Sequence, residues 1–206
     1  MLGVAAAIRR AQQLTVDSGR VLIGLTGAPG SGKSTLGAQL VGAPAAGATA
    51  VLVPMDGFHL AQCELIRLGI ADRKGSPDTF DASGYVALLR RISEATDAVV
   101  YAPAFDRGQE EPIAGAIAVP AHANCIVTEG NYLLLDAAPW RGVREVTTEI
   151  WFCEIDDELR RSRLVARHQE FGKSAQEAAA WVARVDETNA ALVAATRHAA
   201  DVIVAI

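Results

Sequence analysis

Apolar runs and amphipathic stretches alternate along this chain. Arg20–Thr26 (RVLIGLT) is continuously apolar after its first residue, as in a strand buried on both faces of a parallel sheet. Ala50–Pro54, Cys125–Thr128, Glu149–Ile155 and Asp201–Ile206 read as further strands. Residues 4–14, 33–41, 85–94, 156–168 and 175–198 carry helical spacing, and 58–68 fits a shorter helix. Val99–Phe105 and Ile113–Val119 flank the polar DRGQEEP, which predicts a hairpin arm. Residues 42–49 read as a turn, and the polar stretch 71–84 (ADRKGSPDTFDASG) as a loop or lid. Strands alternating with helices predict an α/β fold with a mainly parallel sheet. No repeat, low-complexity tract or linker divides residues 1–206, so one domain is expected.

Composition narrows the partners. The 206 residues are 50% hydrophobic and 21% charged, enough for a sizeable core. A net charge of −5 argues against nucleic acid or an anionic membrane as the main partner. Cys63, Cys125 and Cys153 are far apart and form no CxxC pair, which suits reduced thiols in a cytoplasmic protein. In MLGVAAAIRRAQQL the arginines follow a short apolar stretch, which is the wrong order for a signal peptide. No run is long enough to cross a bilayer, so no membrane insertion is expected.

The chemistry begins at Gly27-Ala28-Pro29-Gly30-Ser31-Gly32-Lys33-Ser34, which fits GxxxxGK[ST] between a buried strand and a helix. Glycines there let successive N–H groups turn toward phosphate oxygens, and the helix adds its positive end. Lys33 would reach the β- and γ-phosphates and the Ser34 hydroxyl would ligate Mg²⁺, with Thr35 supporting the helix start. Asp56 follows a strand directly, at the sheet edge where ligands bind. It is a candidate to accept or orient the proton of an attacking hydroxyl; the alternative is a helix cap. Gly57 allows a tight turn, and His59 could then bond the acceptor or the aspartate, or simply pack. Glu129 ends a second buried strand, where it would support Mg²⁺ or else meet solvent. Arg160, Arg163 and Arg167 recur at helical spacing, so one face can present three cations to a transferring phosphoryl group.

With these residues placed, the chain resembles the P-loop kinases that include uridine kinase, pantothenate kinase and phosphoribulokinase, above all a bacterial nucleoside kinase-like (fructose transport system kinase-like) subgroup. The matching stretches are LTGAPGSGKST (25–35), VPMDGFHL (53–60), RKGSPDTFDASG (73–84), PAFDR (103–107), EGNYLLLD (129–136), RLVARH (163–168) and AAAWVARVDETN (178–189). The resemblance implies a three-layer P-loop NTPase fold with core strand order 2-3-1-4-5 and helices on both faces. It implies an acceptor-side lid near 70–84, the hairpin arm near 99–119, and an arginine lid near 156–173. Asp56 would activate the acceptor, and Arg163 and Arg167 would belong to the arginine lid. Arg73, Lys74, Asp78, Phe80, Asp106 and Arg107 would border the acceptor pocket, with Asp186 and Asn189 also facing it.

ATP and Mg²⁺ follow as co-substrate and cofactor, in a monomer or homodimer. The hairpin PAFDRGQEEP lacks the histidine that holds the pyrimidine in uridine kinases, so uridine is not carried over. The expected activity is γ-phosphoryl transfer to a hydroxyl of a sugar, nucleoside or pantothenate-like acceptor. The competing reading is a nucleotide-binding regulatory module tied to a sugar transport system. A GTPase is disfavoured: DASG (81–84) fits DxxG, but no NKxD occurs.

Overall fold

The computed structural model, which describes residues 1–95 and 97–206, runs in chain order. It begins β1 (Leu2–Gly3), α1 (Val4–Ser18), β2 (Val21–Thr26), α2 (Lys33–Gly42), β3 (Ala50–Pro54), α3 (Gln62–Leu68), α4 (Ala82–Glu94). There follow β4 (Val100–Asp106), β5 (Glu111–Val119), β6 (Cys125–Glu129), α5 (Gly142–Val146) and β7 (Glu149–Glu154). It closes with α6 (Asp157–Glu170), α7 (Ala175–Trp181), α8 (Glu187–Ala194) and β8 (Val202–Ala205).

Six parallel strands form the sheet, in the order β1-β8-β7-β2-β6-β3. Numbered by sequence, the five core strands β2, β3, β6, β7 and β8 lie 2-3-1-4-5, as expected from the resemblance. Alternation along the strands separates two hydrophobic layers. Val21, Ile23 and Leu25 of β2 pack with Ala7 and Ala11 of α1 and Leu36 and Leu40 of α2. Leu22, Val53, Ile126 and Ile150 pack on the other face with Tyr85, Leu89 and Ile92 of α4, Trp140 just before α5 and Val143 within it. Antiparallel β4 and β5 form the predicted hairpin outside this sheet, with an irregular register between Ala102 and Ala104.

Several local expectations are corrected. The helix expected over 58–68 is a 3₁₀ turn at Met55–Phe58 followed by α3. Helix α4 starts at Ala82, before Tyr85, because the Asp81 carboxylate accepts the Gly84 N–H at 2.8 Å and caps it. The stretch 175–198 is broken into α7, a π-helical turn at Val182–Asp186, α8, and a 3₁₀ turn at Arg197–Ala199. Strand β1 and helix α5 carry too few residues to register a period, and the pattern gave no sign of them. No helix among the described residues is long and apolar enough to cross a membrane.

Candidate active site

The carboxyl ends of β2, β3 and β6 open on one cleft of about 1090 Å³, just above the usual range for ligand pockets. Residues 27–32 lead from β2 into α2, whose first residue is Lys33. Gly30 has φ +80°, and a Cβ there would lie 2.8 Å from Leu164 Cγ, so the loop can follow its path against α6 only without a side chain. Lys33 Nζ donates to the carbonyls of Gly27 and Ala28 at 3.0 Å each, leaving one of an ammonium's N–H groups for a ligand. Burial lowers its pKa, against the attraction of Glu129. Gly32, Lys33, Ser34 and Thr35 line the cleft with Pro29 and Gly30, whereas Gly27, Ala28 and Ser31 lie behind it.

Strands β3 and β6 deliver the two carboxylates. The Ser34 hydroxyl donates to Glu129 Oε1 at 3.1 Å. Glu129 is buried, and burial together with neighbouring Asp56 pushes its carboxyl up to about 7. These oxygen donors fit a hard cation such as Mg²⁺, which takes few protein ligands and completes its shell with phosphate and water. No group of three His, Cys, Asp or Glu side chains that could hold a metal occurs among the described residues. Asp56 lies inside the 3₁₀ turn, caps no helix through its side chain, and accepts from Arg107 Nη2 at 3.3 Å. Gly57 serves close approach, since a Cβ there would meet the Pro103 carbonyl oxygen at 2.4 Å. That contact seats the hairpin against the Asp56 turn.

His59 Nδ1 bonds the Asp56 carbonyl at 2.9 Å, and the ring packs between Phe80 and Phe105 with centroids 4.0 and 4.8 Å away. Burial lowers its pKa, so the neutral ring is favoured. A carbonyl only accepts, so Nδ1 carries the proton. Lys74 bonds the Glu110 carbonyl at 2.6 Å and Gln62 Oε1 at 3.4 Å, linking the 71–84 loop to the hairpin and α3. Arg73 and Asp78 pair with each other at 2.7 Å in solvent, and Asp106 accepts from the Gly108 and Gln109 N–H groups in the hairpin turn. These three do not line the cleft, while Asp56, His59, Lys74, Phe80, Arg107, Asp186 and Asn189 do.

Helix α6 corrects the three-cation expectation. Arg163 and Arg167 line the cleft and make no ion pair among the described residues. Burial and then Arg107 lower the Arg167 pKa. Arg160 instead points inward with its side chain 3% exposed, bonding Asp157 at 2.9 Å and Glu187 at 2.6 Å. Acidic partners on both sides of the buried guanidinium draw it off the face its spacing suggested. His168 Nε2 and Asp186 Oδ2 lie 2.8 Å apart, which joins α6 to the π-helical turn. The Gly75 carbonyl accepts from both the Tyr132 hydroxyl and Asn189 Nδ2. Asn131, His168, Lys173 and Trp181 also line the cleft, though nothing in their spacing marked them.

Comparison with known proteins adds a second line of argument. A Schizosaccharomyces pombe protein named "Putative uridine kinase" is 37% identical over 175 residues, covering 82% of this chain and 74% of its own length. The crystal structure of a "putative fructose transport system kinase" from Silicibacter sp. TM1040 superposes with a TM-score of 0.82 at 38% identity, covering 89% of each chain. The chain belongs to the P-loop kinase family. A P-loop kinase fold is also evident against YFH7 of Saccharomyces cerevisiae, with a TM-score of 0.83 over 100% of this chain and 99% of that one at 18% identity. No family model matches this P-loop kinase.

Proposed function

We propose that the protein is an ATP-dependent, Mg²⁺-requiring cytoplasmic kinase that transfers the γ-phosphoryl group to a hydroxyl of a sugar, nucleoside or pantothenate-like acceptor. The observation that carries this reading is the convergence of Asp56, Lys33, Ser34, Glu129 and Arg167 on one cleft. Gly30, Gly32, Lys33 and Ser34, which line the cleft, offer backbone N–H groups to the phosphates, and Lys33 gives its remaining ammonium N–H to a phosphate oxygen. Ser34 and Glu129 hold Mg²⁺, which when bound neutralises charge on the β- and γ-phosphates. Asp56 accepts or orients the acceptor's proton, and Arg107 holds that carboxylate in place. Arg163 and Arg167 face the charge that spreads over the transferring group. Acceptor contacts are assigned to His59, Lys74, Phe80, Arg107, Asp186 and Asn189.

The test is ADP release from Mg·ATP across hexoses, pentoses, polyols, nucleosides, pantothenate and their monophosphates, against a no-acceptor control. One acceptor raising turnover well above the control supports the kinase and fixes its substrate class. A uniform slow background across the panel favours the regulatory module.

A further inference from the structure

One buried polar cluster lies behind the cleft and touches no ligand surface. Tyr85 of α4 and Thr128 of β6 are both 0% exposed, and their hydroxyl oxygens are hydrogen-bonded to each other. Thr128 Oγ1 also bonds the Val53 carbonyl at 2.7 Å. A carbonyl only accepts, so Thr128 gives its proton to Val53 and Tyr85 must donate to Thr128. The relay therefore has one direction, from α4 through β6 to β3. It passes through the residue before Glu129 and ends three residues before Asp56.

The relay lies at the edge of the sheet, since β3 is its last strand. Val53 pairs in register with Thr128 and Pro54 with Glu129; β3 is the edge strand, and the alternation set by the Cys125 N–H bond to the Thr49 carbonyl turns Pro54 away from β6, so the ladder loses nothing there. Beyond it each strand carries one carboxyl group into the same cleft. The relay adds a side-chain tie between β6 and β3 beside the ladder, at the last paired residues before the two carboxylates. The Tyr85 ring also packs against Phe58, in the turn that holds Asp56, with centroids 5.2 Å apart.

We propose that the Tyr85–Thr128 hydroxyl relay is a positioning device that fixes the separation of Asp56 and Glu129 and so shapes the Mg²⁺ subsite. It rests on the reading of the cleft as an Mg·ATP site. Neither residue touches a substrate, and the P-loop backbone is held without them. Loss of the relay therefore acts on the metal-dependent part of nucleotide binding.

Calorimetric titration with the β,γ-imido analogue of ATP, with and without Mg²⁺, tests this on the full chain. Wild type is expected to bind more tightly with Mg²⁺. Tyr85→Phe keeps the ring, and Thr128→Val the shape. Both are expected to lose about tenfold of the Mg²⁺ enhancement while metal-free affinity stays put. Thr128→Ser keeps the hydroxyl and is expected to retain the enhancement. If Thr128→Val does not fold, Tyr85→Phe against Thr128→Ser decides. An undiminished enhancement in Tyr85→Phe overturns the proposal, as does equal loss with and without Mg²⁺. Failure of wild type to bind the analogue sinks the nucleotide reading itself, and is seen before any variant is made.

Discussion

Asp56 takes a 3.3 Å hydrogen bond from Arg107 at the mouth of the cleft, so an amide in its place keeps the shape and loses the proton acceptor. Asp56→Asn is expected to lower acceptor-dependent turnover by about 10²–10⁴-fold while affinity for the imido analogue holds within about threefold. Steady-state kinetics and titration calorimetry check the two halves. The neighbouring arginines divide differently. Arg160→Met removes the bonds to Glu187 and Asp157, but Glu187 keeps Arg161 and Asp157 faces water, so the expected cost is about 1–2 kcal/mol in urea unfolding. Arg163→Ala should leave stability within about 0.5 kcal/mol and cut turnover instead. The phosphate loop was legible because its backbone path demands glycines at fixed spacing. Arg160 was not, because i, i+3, i+4 spacing says which residues share a face but not where Glu187 lies to claim one of them.

Elements succeed or fail by how their ends are held. The Asp56 turn and β4 meet where Gly57 lies against the Pro103 carbonyl. Gly57→Ala is expected to force the hairpin outward, at a cost of about 1–3 kcal/mol, and to weaken the Arg107–Asp56 bond. At the far end of the sheet, Asp201 accepts from Arg144 and from the Ile150 N–H at 2.7 Å, tying β8 to α5 and β7. Arg144 holds the Asp201 carboxyl below its ordinary 3.8. That stabilisation is present above the unfolded-state value and is lost as pH falls through the lower folded one. Asp201→Asn is therefore expected to cost about 1–2 kcal/mol at neutral pH, with the gap closing in acid below 3.8, read by urea melts. The long strands were plain in the sequence because burial on both faces leaves an unbroken apolar run. The π-helical turn was hidden, since one wider turn barely disturbs apolar spacing yet re-aims Asp186 at His168.

At the scale of the whole molecule, the cleft draws on the P-loop, the hairpin, the 71–84 loop, α6 and the turn before α8, so occupancy should stabilise the fold as a unit. At a hundredfold excess over Kd, a nucleotide adds about 2.7 kcal/mol, which is expected to raise Tm by about 5–10 °C for a chain of this size. Calorimetric scans with Mg·imido-ATP check it, and Lys33→Ala should abolish the shift. The sheet order followed from the collinear resemblance, whereas the joining of separate walls through single atoms had no trace in sequence. The Gly75 carbonyl, which accepts from Tyr132 and Asn189, is such an atom. Every residue type carries that oxygen, so the anchor survives whatever side chains flank it. Substitutions in the 71–84 loop can therefore alter the wall that Lys74 and Phe80 give the cleft while the backbone anchor at Gly75 persists.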